Sequence, residues 1–372
     1  MAKRKLLKKD LGFFSKTVFL GNIIAVILLL LSYSASFINP IVVWPIAFFG
    51  LGYLPILLIN LGFVAYWGLR RFKYTLLSLI PILLGWSLLT KHFGFRKAVD
   101  EPKKTENSMR IMTYNAHLFK DIKDNENPDI KNEVLNLIKK TDPDVLCFQE
   151  FFTKIKGSKK FVDRINEEAG FGNFYFEPVM KSRSEAYGQV IYSKFPIINS
   201  GVIAHKEYGI NRIIYADIVK EQDTIRVYNV HLRSFALQNE DKEFVQNPSA
   251  SNEPNEDMSR RLGRKLKFAF NKRSDQAAAL KHHIDSTQYP ILVMGDFNDT
   301  PMSYSVNLIS KNLKNTFQEK GQGWGVTHYE MLPIFQIDYI LCSKRFEVGS
   351  YKIIKKKLSD HYPIFADVKL LN

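Results

Sequence analysis

The amino-terminal quarter of the chain alternates between long apolar runs and short polar breaks. Runs over about 17–37, 41–69 and 74–90 contain no charged residue, and each approaches the roughly 20 residues that cross a bilayer as a helix. Pro45, Pro55 and Pro81 fall inside the second and third runs, and membrane helices tolerate proline better than soluble ones do. Trp44, Trp67 and Trp86 lie near run ends, where interfacial aromatics collect. The pattern predicts an all-α membrane region of three transmembrane helices. A cleaved signal peptide would explain only the first run, and no small-residue cleavage site separates it from the next two.

Beyond residue 108 the apolar pattern shortens to strand and helix lengths. Residues 110–117, Arg-Ile-Met-Thr-Tyr-Asn-Ala-His, read as a strand that stops at Asn115. Ile130, Val134, Leu137 and Ile138 recur at helical spacing until Asp142-Pro143-Asp144 breaks them. Val145–Phe148 is the next buried strand and ends at Gln149-Glu150. A helix between two strands favours a parallel pair made by crossover. A helix near 158–168 follows, then strands at about 174–179, 187–193 and 197–204. The pair 211–219 and 224–230 reads as a hairpin whose second strand ends at His231. Polar residues 232–258 read as a long loop and 259–285 as a helix. Ile291–Met294 is a buried strand that turns at Gly295 and delivers Asp296 and Asn298. Thr300-Pro301 suits a helix start, 321–325 is a Gly-rich loop, and strands near 334–342, 346–354 and 362–370 close the chain. The expected division is a membrane anchor over 1–96, a linker over 97–108 and a folded domain over 109–372.

Charge adds a direction to this division. The chain carries a formal +15. Residues 1–100 hold twelve Lys or Arg against Asp10 and Asp100, so +10 belongs there and +5 remains for the rest. The basicity is a topology signal more than a mark of nucleic-acid binding. Six basic residues, Lys3 to Lys16, precede the first run; Arg70, Arg71 and Lys73 separate the second from the third; the loop between the first and second has none. The positive-inside rule then puts the amino terminus and second loop in the cytoplasm. Three crossings put the folded domain on the non-cytoplasmic side of a bacterial cell membrane, about 40 Å from the bilayer at most, the reach of the extended linker.

The two cysteines, Cys147 and Cys342, sit in apolar strand patterns and read as small core residues. Residues 259–273 carry seven cations among Leu266, Phe268 and Phe270. They read as a solvated amphipathic helix, with anionic headgroups or a polyanionic substrate as the rival partner. His282 and His283, adjacent on that helix, are expected in solvent.

The strand ends supply the chemistry. Asn115, Glu150, His231, Asp296, Asn298, Asp338, Asp360 and His361 each stand at or beside the end of an apolar strand. Oxygen donors with two imidazoles and no thiolate suit a hard cation, Mg²⁺ or Mn²⁺. Such a cation polarises a phosphoryl oxygen while a carboxylate or imidazole activates water. The pattern points to metal-assisted hydrolysis of a phosphodiester or phosphomonoester.

Thr113-Tyr114-Asn115, Gln149-Glu150, Asn229-Val230-His231-Leu232, Gly295-Asp296-Phe297-Asn298, Ile337-Asp338-Tyr339-Ile340 and Ser359-Asp360-His361-Tyr362-Pro363 occur in this order. Together they resemble the motifs of the endonuclease/exonuclease/phosphatase family, which includes pancreatic-type deoxyribonucleases, abasic-site endonucleases, inositol polyphosphate 5-phosphatases and neutral sphingomyelinases. The resemblance implies a deoxyribonuclease-like two-sheet α/β sandwich in a membrane-anchored, bacterial-type member. It implies that Glu150 is the main Mg²⁺ ligand, with Asn115 beside it and Asp360 near the metal. Asp296 would orient or deprotonate the attacking water, and Asn298 would hold that water or the phosphate. His231 and His361 would contact the phosphate, Asp338 would fix the His361 tautomer, Arg212 would contact phosphate, and Glu185 would pair with His231. Gln336 stands where the family often has Arg. The implied partners are the bilayer and a phosphoester substrate, whether lipid headgroup, nucleic acid or small molecule, with no obligate protein partner. A non-catalytic binding module on the same fold is the rival, and the retention of all eight strand-end residues counts against it.

Overall fold

The computed structural model describes residues 12–371, apart from 98–103, 106, 121–127, 157–159, 204–209, 248–254 and 331–333. Lys3 to Lys9 and most of the expected linker lie outside the described residues, as does 248–254 of the expected loop. The apolar runs form α1 (Phe13–Ser34), α2 (Ile46–Leu51), α3 (Tyr53–Arg70), α4 (Leu76–Leu84) and α5 (Trp86–Leu89). Among the described residues, two helices, α1 and α3, are long and apolar enough to cross a membrane. The expectation of three full-length spans is therefore corrected. The second run breaks at Gly52, and the third is a short apolar segment with Pro81 inside it and Gly85 at its end. Proline removes one helix hydrogen bond and glycine favours a stop.

A polar network ties these helices together. Asn22 Nδ2 donates to Ser78 Oγ (2.5 Å), Ser78 Oγ to Asn60 Oδ1 (2.9 Å), and Trp67 Nε1 to Asn22 Oδ1 (3.0 Å). Trp67 is fully buried, unlike the half-exposed Trp44 and Trp86, so its expected interfacial position is corrected. Its indole fills the bundle because Asn22 offers the one acceptor its N–H needs. At the other end, the bundle docks on the folded domain. Ser36 Oγ donates to the Met302 carbonyl (3.1 Å), Ser274 Oγ to Asn39 Oδ1 (2.8 Å), and Phe48 meets the Phe270 ring edge-on. A Cβ at Gly50 would lie 2.8 Å from that of Ala35 and 3.3 Å from the Met302 carbonyl, so this close approach uses glycine.

The strands are β1 (Phe93–Phe95), β2 (Met109–Asn115), β3 (Val145–Lys154), β4 (Asn173–Lys181), β5 (Glu185–Ser193), β6 (Ile197–Val202) and β7 (Ile213–Lys220). They continue as β8 (Asp223–His231), β9 (Ile291–Asp296), β10 (Leu313–Asn315), β11 (Gln322–Trp324), β12 (Asp338–Ser343), β13 (Phe346–Ile353) and β14 (Ile364–Leu370). Helices α6 (Pro128–Thr141), α7 (Phe161–Glu168), α8 (Asn239–Gln246), α9 (Asn255–Asp285), α10 (Tyr304–Ser310) and α11 (Thr316–Lys320) complete the domain. Two six-stranded sheets form, in the orders β13-β14-β2-β3-β5-β4 and β10-β12-β9-β8-β7-β6. Each holds one parallel pair, β2 with β3 and β8 with β9. The first is the crossover pair expected from the strand–helix–strand pattern. Alternation along β3 sends Val145 and Cys147 between the sheets and Leu146 and Phe148 beneath α6 and α7. Both cysteines are buried free thiols.

Three expectations of local structure are corrected. The loop expected over 232–258 contains α8, started by a capping box of Gln238 and Asp241. The helix expected at Thr300-Pro301 begins at Tyr304, where Ser303 Oγ accepts from Val306 N at 3.2 Å. Within the Gly-rich 321–325, β11 pairs with β1.

A buried amide bolts the two sheets together. Asn229 Nδ2 on β8 donates across the sandwich to the carbonyls of Phe148 (2.8 Å) and Val190 (3.0 Å), and its Oδ1 accepts from Gln149 Nε2 (2.7 Å). Asn229→Leu removes these bonds from a site without solvent. It should cost about 3 kcal/mol, the penalty for orphaning buried polar groups. Thermal unfolding of the purified chain measures this, and an unchanged midpoint would refute the bolt.

Candidate active site

The two parallel pairs aim their carboxyl ends at one another. In β3 the ladder to β5 shifts between Phe148 and Phe151, and Glu150 takes φ 50°. This bulge re-aims one side chain out of the sheet period and turns Glu150 into the site. On the other sheet His231 and Asp296 are register partners at the ends of β8 and β9. Gly295 just before has φ 144°, and a Cβ there would lie 2.0 Å from the Val230 carbonyl. Glycine alone lets β9 close on β8 and bring Asp296 beside His231. Asp338, opposite Asp296 at the start of β12, is delivered by the same ladder.

The side chains meet in a small volume. Asp296 accepts from Asn115 Nδ2 (3.0 Å), Asn298 N (2.7 Å) and Asn298 Nδ2 (3.1 Å). Its Oδ2 is 3.8 Å from both His231 Nε2 and His361 Nε2. His361 Nδ1 lies 2.9 Å from Asp338 Oδ2, the pairing expected of these two residues. Glu150 Oε1 is 3.7 Å from His231 Nε2, and Oε2 is 3.8 Å from His117 Nδ1. Asp360 Oδ2 is 3.6 Å from His117 Nδ1 and 3.7 Å from His328 Nε2.

The two strand-end histidines differ in charge. Burial works against protonation of His361, but Asp338, Asp360 and Asp296 outweigh it and hold the imidazolium well above its usual pKa. His231 has no such support; burial, and then the His361 charge, pull it down to about 3. Burial raises Asp296 to about 7 against the opposing pull of His361. Glu150 is raised by burial and by the Asp360 charge. Burial also acts upward on Asp360, yet His361, a bond from His328 and the nearby His117 carry it below the usual carboxylate range.

All eight strand-end residues thus converge. Arg212 lies beside them in an ion pair: its Nη1 donates to Glu177 Oε1 (2.9 Å), and its carbonyl accepts from His231 N (2.9 Å). Glu185 is exposed on β5; Asn211 Nδ2, 2.9 Å away, meets His231 Nε2 instead. Gln336 is buried. The basic run is not wholly solvated, since Arg273 is fully buried against Asp299 (2.9 Å) and Arg261 and Lys265 meet Asp241. His282 is exposed as expected, whereas His283 is half-buried and bonds the Tyr228 hydroxyl at 2.9 Å. Sequence reasoning missed His117, His328 and Asn211. Only His117 carried a signal, two residues after Asn115; His328 lies in a loop with no periodic pattern.

The donor chemistry fits a hard cation. Asp338 Oδ1, Asp360 Oδ1 and His231 Nδ1 are buried without a hydrogen-bond partner among the described residues. Two groups place their donor atoms within 4.8 Å of one another: His328 with Asp360 and His361, and Asp296 with Asp338 and His361. In the second, His361 Nδ1 already meets Asp338 Oδ2 at 2.9 Å.

A profile of the endonuclease/exonuclease/phosphatase family matches residues 112–361. The chain belongs to this family. It is a hydrolase of phosphoester bonds, and the family's members typically use a divalent metal. Residues 15–92 match a domain of unknown function, DUF8431. No curated protein sequence matches. Among solved structures, the chain is similar to an endonuclease/exonuclease/phosphatase from Beutenbergia cavernae, at 18% identity and TM-score 0.53, covering 72% of each chain. Family proteins from Leptotrichia buccalis (17% identity, TM-score 0.50) and Bacteroides thetaiotaomicron (14%, TM-score 0.50) are covered in full, over 70% and 73% of this chain. These likenesses concern the sandwich fold.

Metal binding should titrate with Glu150. Its raised pKa means that the cation must displace a proton, so Mg²⁺ should raise the unfolding temperature more at pH 8 than at pH 5. Glu150→Gln should abolish the increment at both pH values; an equal Mg²⁺ shift in this variant would remove Glu150 from the ligand set.

Proposed function

We propose that the chain is a membrane-anchored, Mg²⁺-dependent phosphoesterase in which Asp296 activates water and His361 stabilises the reacting phosphate. The observation that carries this reading is the chain Asp338–His361–Asp296, an imidazolium held by one carboxylate and facing another that titrates near 7. A base with a pKa near the working pH is suited to proton transfer. Asp296 takes the proton of the attacking water, while Asn115 and Asn298 fix its carboxylate. His361 Nε2–H faces the charge that grows on a phosphoryl oxygen. Asn211 Nδ2, 2.9 Å from His231 Nε2, donates to this neutral ring and holds it beside Asp296. Glu150 and Asp360, beside Asn115, would hold Mg²⁺, or Mn²⁺, which supplies Lewis-acid stabilisation of the phosphoryl oxygen.

The anchor reading draws on α1 and α3 and on the polarity of the bundle. Lys16, Arg70, Arg71 and Lys73 lie at one end, where Arg70 Nε donates to Ser15 Oγ (3.3 Å). The folded domain docks at the other, through Ser36, Asn39, Phe48 and Lys91. The third apolar segment, though short, returns the chain to this docked end. With the basic end in the cytoplasm, the active site faces away from it and works beside the bilayer. That position favours lipid headgroups, envelope polymers or imported nucleic acid.

His361→Ala and Asp338→Asn should each slow Mg²⁺-dependent turnover, with far less than additive loss in the double variant. The assay is a panel of DNA, RNA, sphingomyelin and phosphoinositides offered to the detergent-solubilised chain. Additive losses would separate the two residues, and no turnover on any class would favour the binding-module rival. Topology is read by fusing alkaline phosphatase or a green fluorescent reporter after residue 104 in a bacterial host. Phosphatase activity without fluorescence is the expected outcome, and the reverse would put the domain in the cytoplasm.

A further inference from the structure

A groove of about 1090 Å³ runs between α3, β11 and the edge strand β13, on the bundle side of the domain. Its two halves differ in chemistry. Leu54 and Leu58, on the first turns of α3, form an apolar wall with Trp324 of β11. Leu58 and Trp324 are 59% and 46% exposed. The other half is basic: Arg96, Lys320 and Lys355 line it together with Lys97 and Lys352, and among the described residues no carboxylate does. Arg96 is fixed there by Nε donation to the Glu319 carbonyl at 3.1 Å. Among the described residues, Arg96, Lys320 and Lys355 meet no acidic side chain. Like charges brought together around one groove repel each other unless an anion sits among them.

We propose that this groove binds an anionic membrane phospholipid, with its acyl chain along Leu54 and Leu58 and its phosphate among Arg96, Lys320 and Lys355. The proposal rests on the membrane reading above. An apolar wall continuous with a bilayer-crossing helix and a cationic rim beyond it match the two halves of such a lipid, as a soluble polyanion would not. The level also fits. Trp86 stacks on Phe95 at 5.0 Å and Phe93 meets Trp324 at 5.1 Å, a cluster of aromatics at the docked end of the bundle, where a membrane interface attracts such rings.

The lipid is a ligand here and not the substrate, because none of the catalytic side chains lines the groove. A ribbon of extended chain divides the two sites. Tyr329 and Tyr362, stacked at 4.3 Å, face the groove, while His328, one residue back, faces Asp360. Tyr329 N donates to the Asp360 carbonyl at 3.2 Å. An occupied groove therefore braces the ribbon that carries His328 and the loop that carries Asp360.

The full chain, purified from membranes in mild detergent, is titrated with phosphatidylglycerol and phosphatidylcholine and bound lipid is counted by native mass spectrometry. Wild type should prefer phosphatidylglycerol about tenfold. Lys320→Glu combined with Lys355→Glu should bring the ratio close to one, whereas Lys139→Glu, at a lysine that pairs with Glu168 and does not line the groove, should leave it unchanged. Equal retention of both lipids by wild type, or an equal loss in the Lys139 variant, would overturn the site. Competition by inorganic phosphate as strong as by phosphatidylglycerol would also overturn it, since the apolar wall would then contribute nothing. Carbonate extraction separates the two levels of the argument. A chain released by carbonate refutes the anchor itself, while a retained chain without lipid preference refutes the groove alone.

Discussion

The bulge in β3 is the constraint on which the site depends. A regular strand would alternate Gln149 and Glu150 between the two faces of its sheet and leave Glu150 in the ladder. By shifting register after Phe148 and admitting φ 50°, the chain turns Glu150 toward His231 and Asp360's neighbour His117. The irregular backbone has to be satisfied without water. Asn229 does this from the opposite sheet, bonding the carbonyls of Phe148 and Val190, the register pair at which the bulge opens, and the Gln149 amide. One side chain thus couples the joining of the sheets to the placement of the carboxylate.

Electrostatics around this point are arranged by burial and by unequal company. His231 and His361 stand equally far from Asp296, yet one is neutral and the other cationic. The difference is Asp338, bonded to His361 Nδ1, where His231 has only an amide, from Asn211. A further buried pair, Arg273 with Asp299, lies behind the Asp296 loop. Such pairs contribute little net stability but are costly to break, which makes them good at holding backbone in one place.

The bundle and the domain share a packed boundary in addition to the connecting chain. Met302, in the turn that follows Asp299, is buried among Leu29, Tyr53, Leu57, Ile82 and Leu88 of the helices. The turn that leaves the active site is thereby one wall of the bundle core. Motion of the helices would be felt at Asp296 through about six residues of chain and no flexible link.

Sequence alone determined the main strands of the domain, the crossover pair and the identity of the eight strand-end residues. Short buried strands ending in Gly-Asp, Gln-Glu or Asp-His announce themselves because period and punctuation are local properties. Helix continuity in the apolar runs was less legible: glycine and proline mark where a helix can break, and whether it does depends on what packs there, as Gly52 and Gly85 show. Only tertiary structure decided the rest. That Asn211 and not Glu185 meets His231, that Arg212 meets Glu177, and that Arg273 is buried are outcomes of strands brought together from distant positions. His117 and His328 joined the site for the same reason. A side chain's neighbours across a sandwich are fixed by register and bulge, which no single segment encodes.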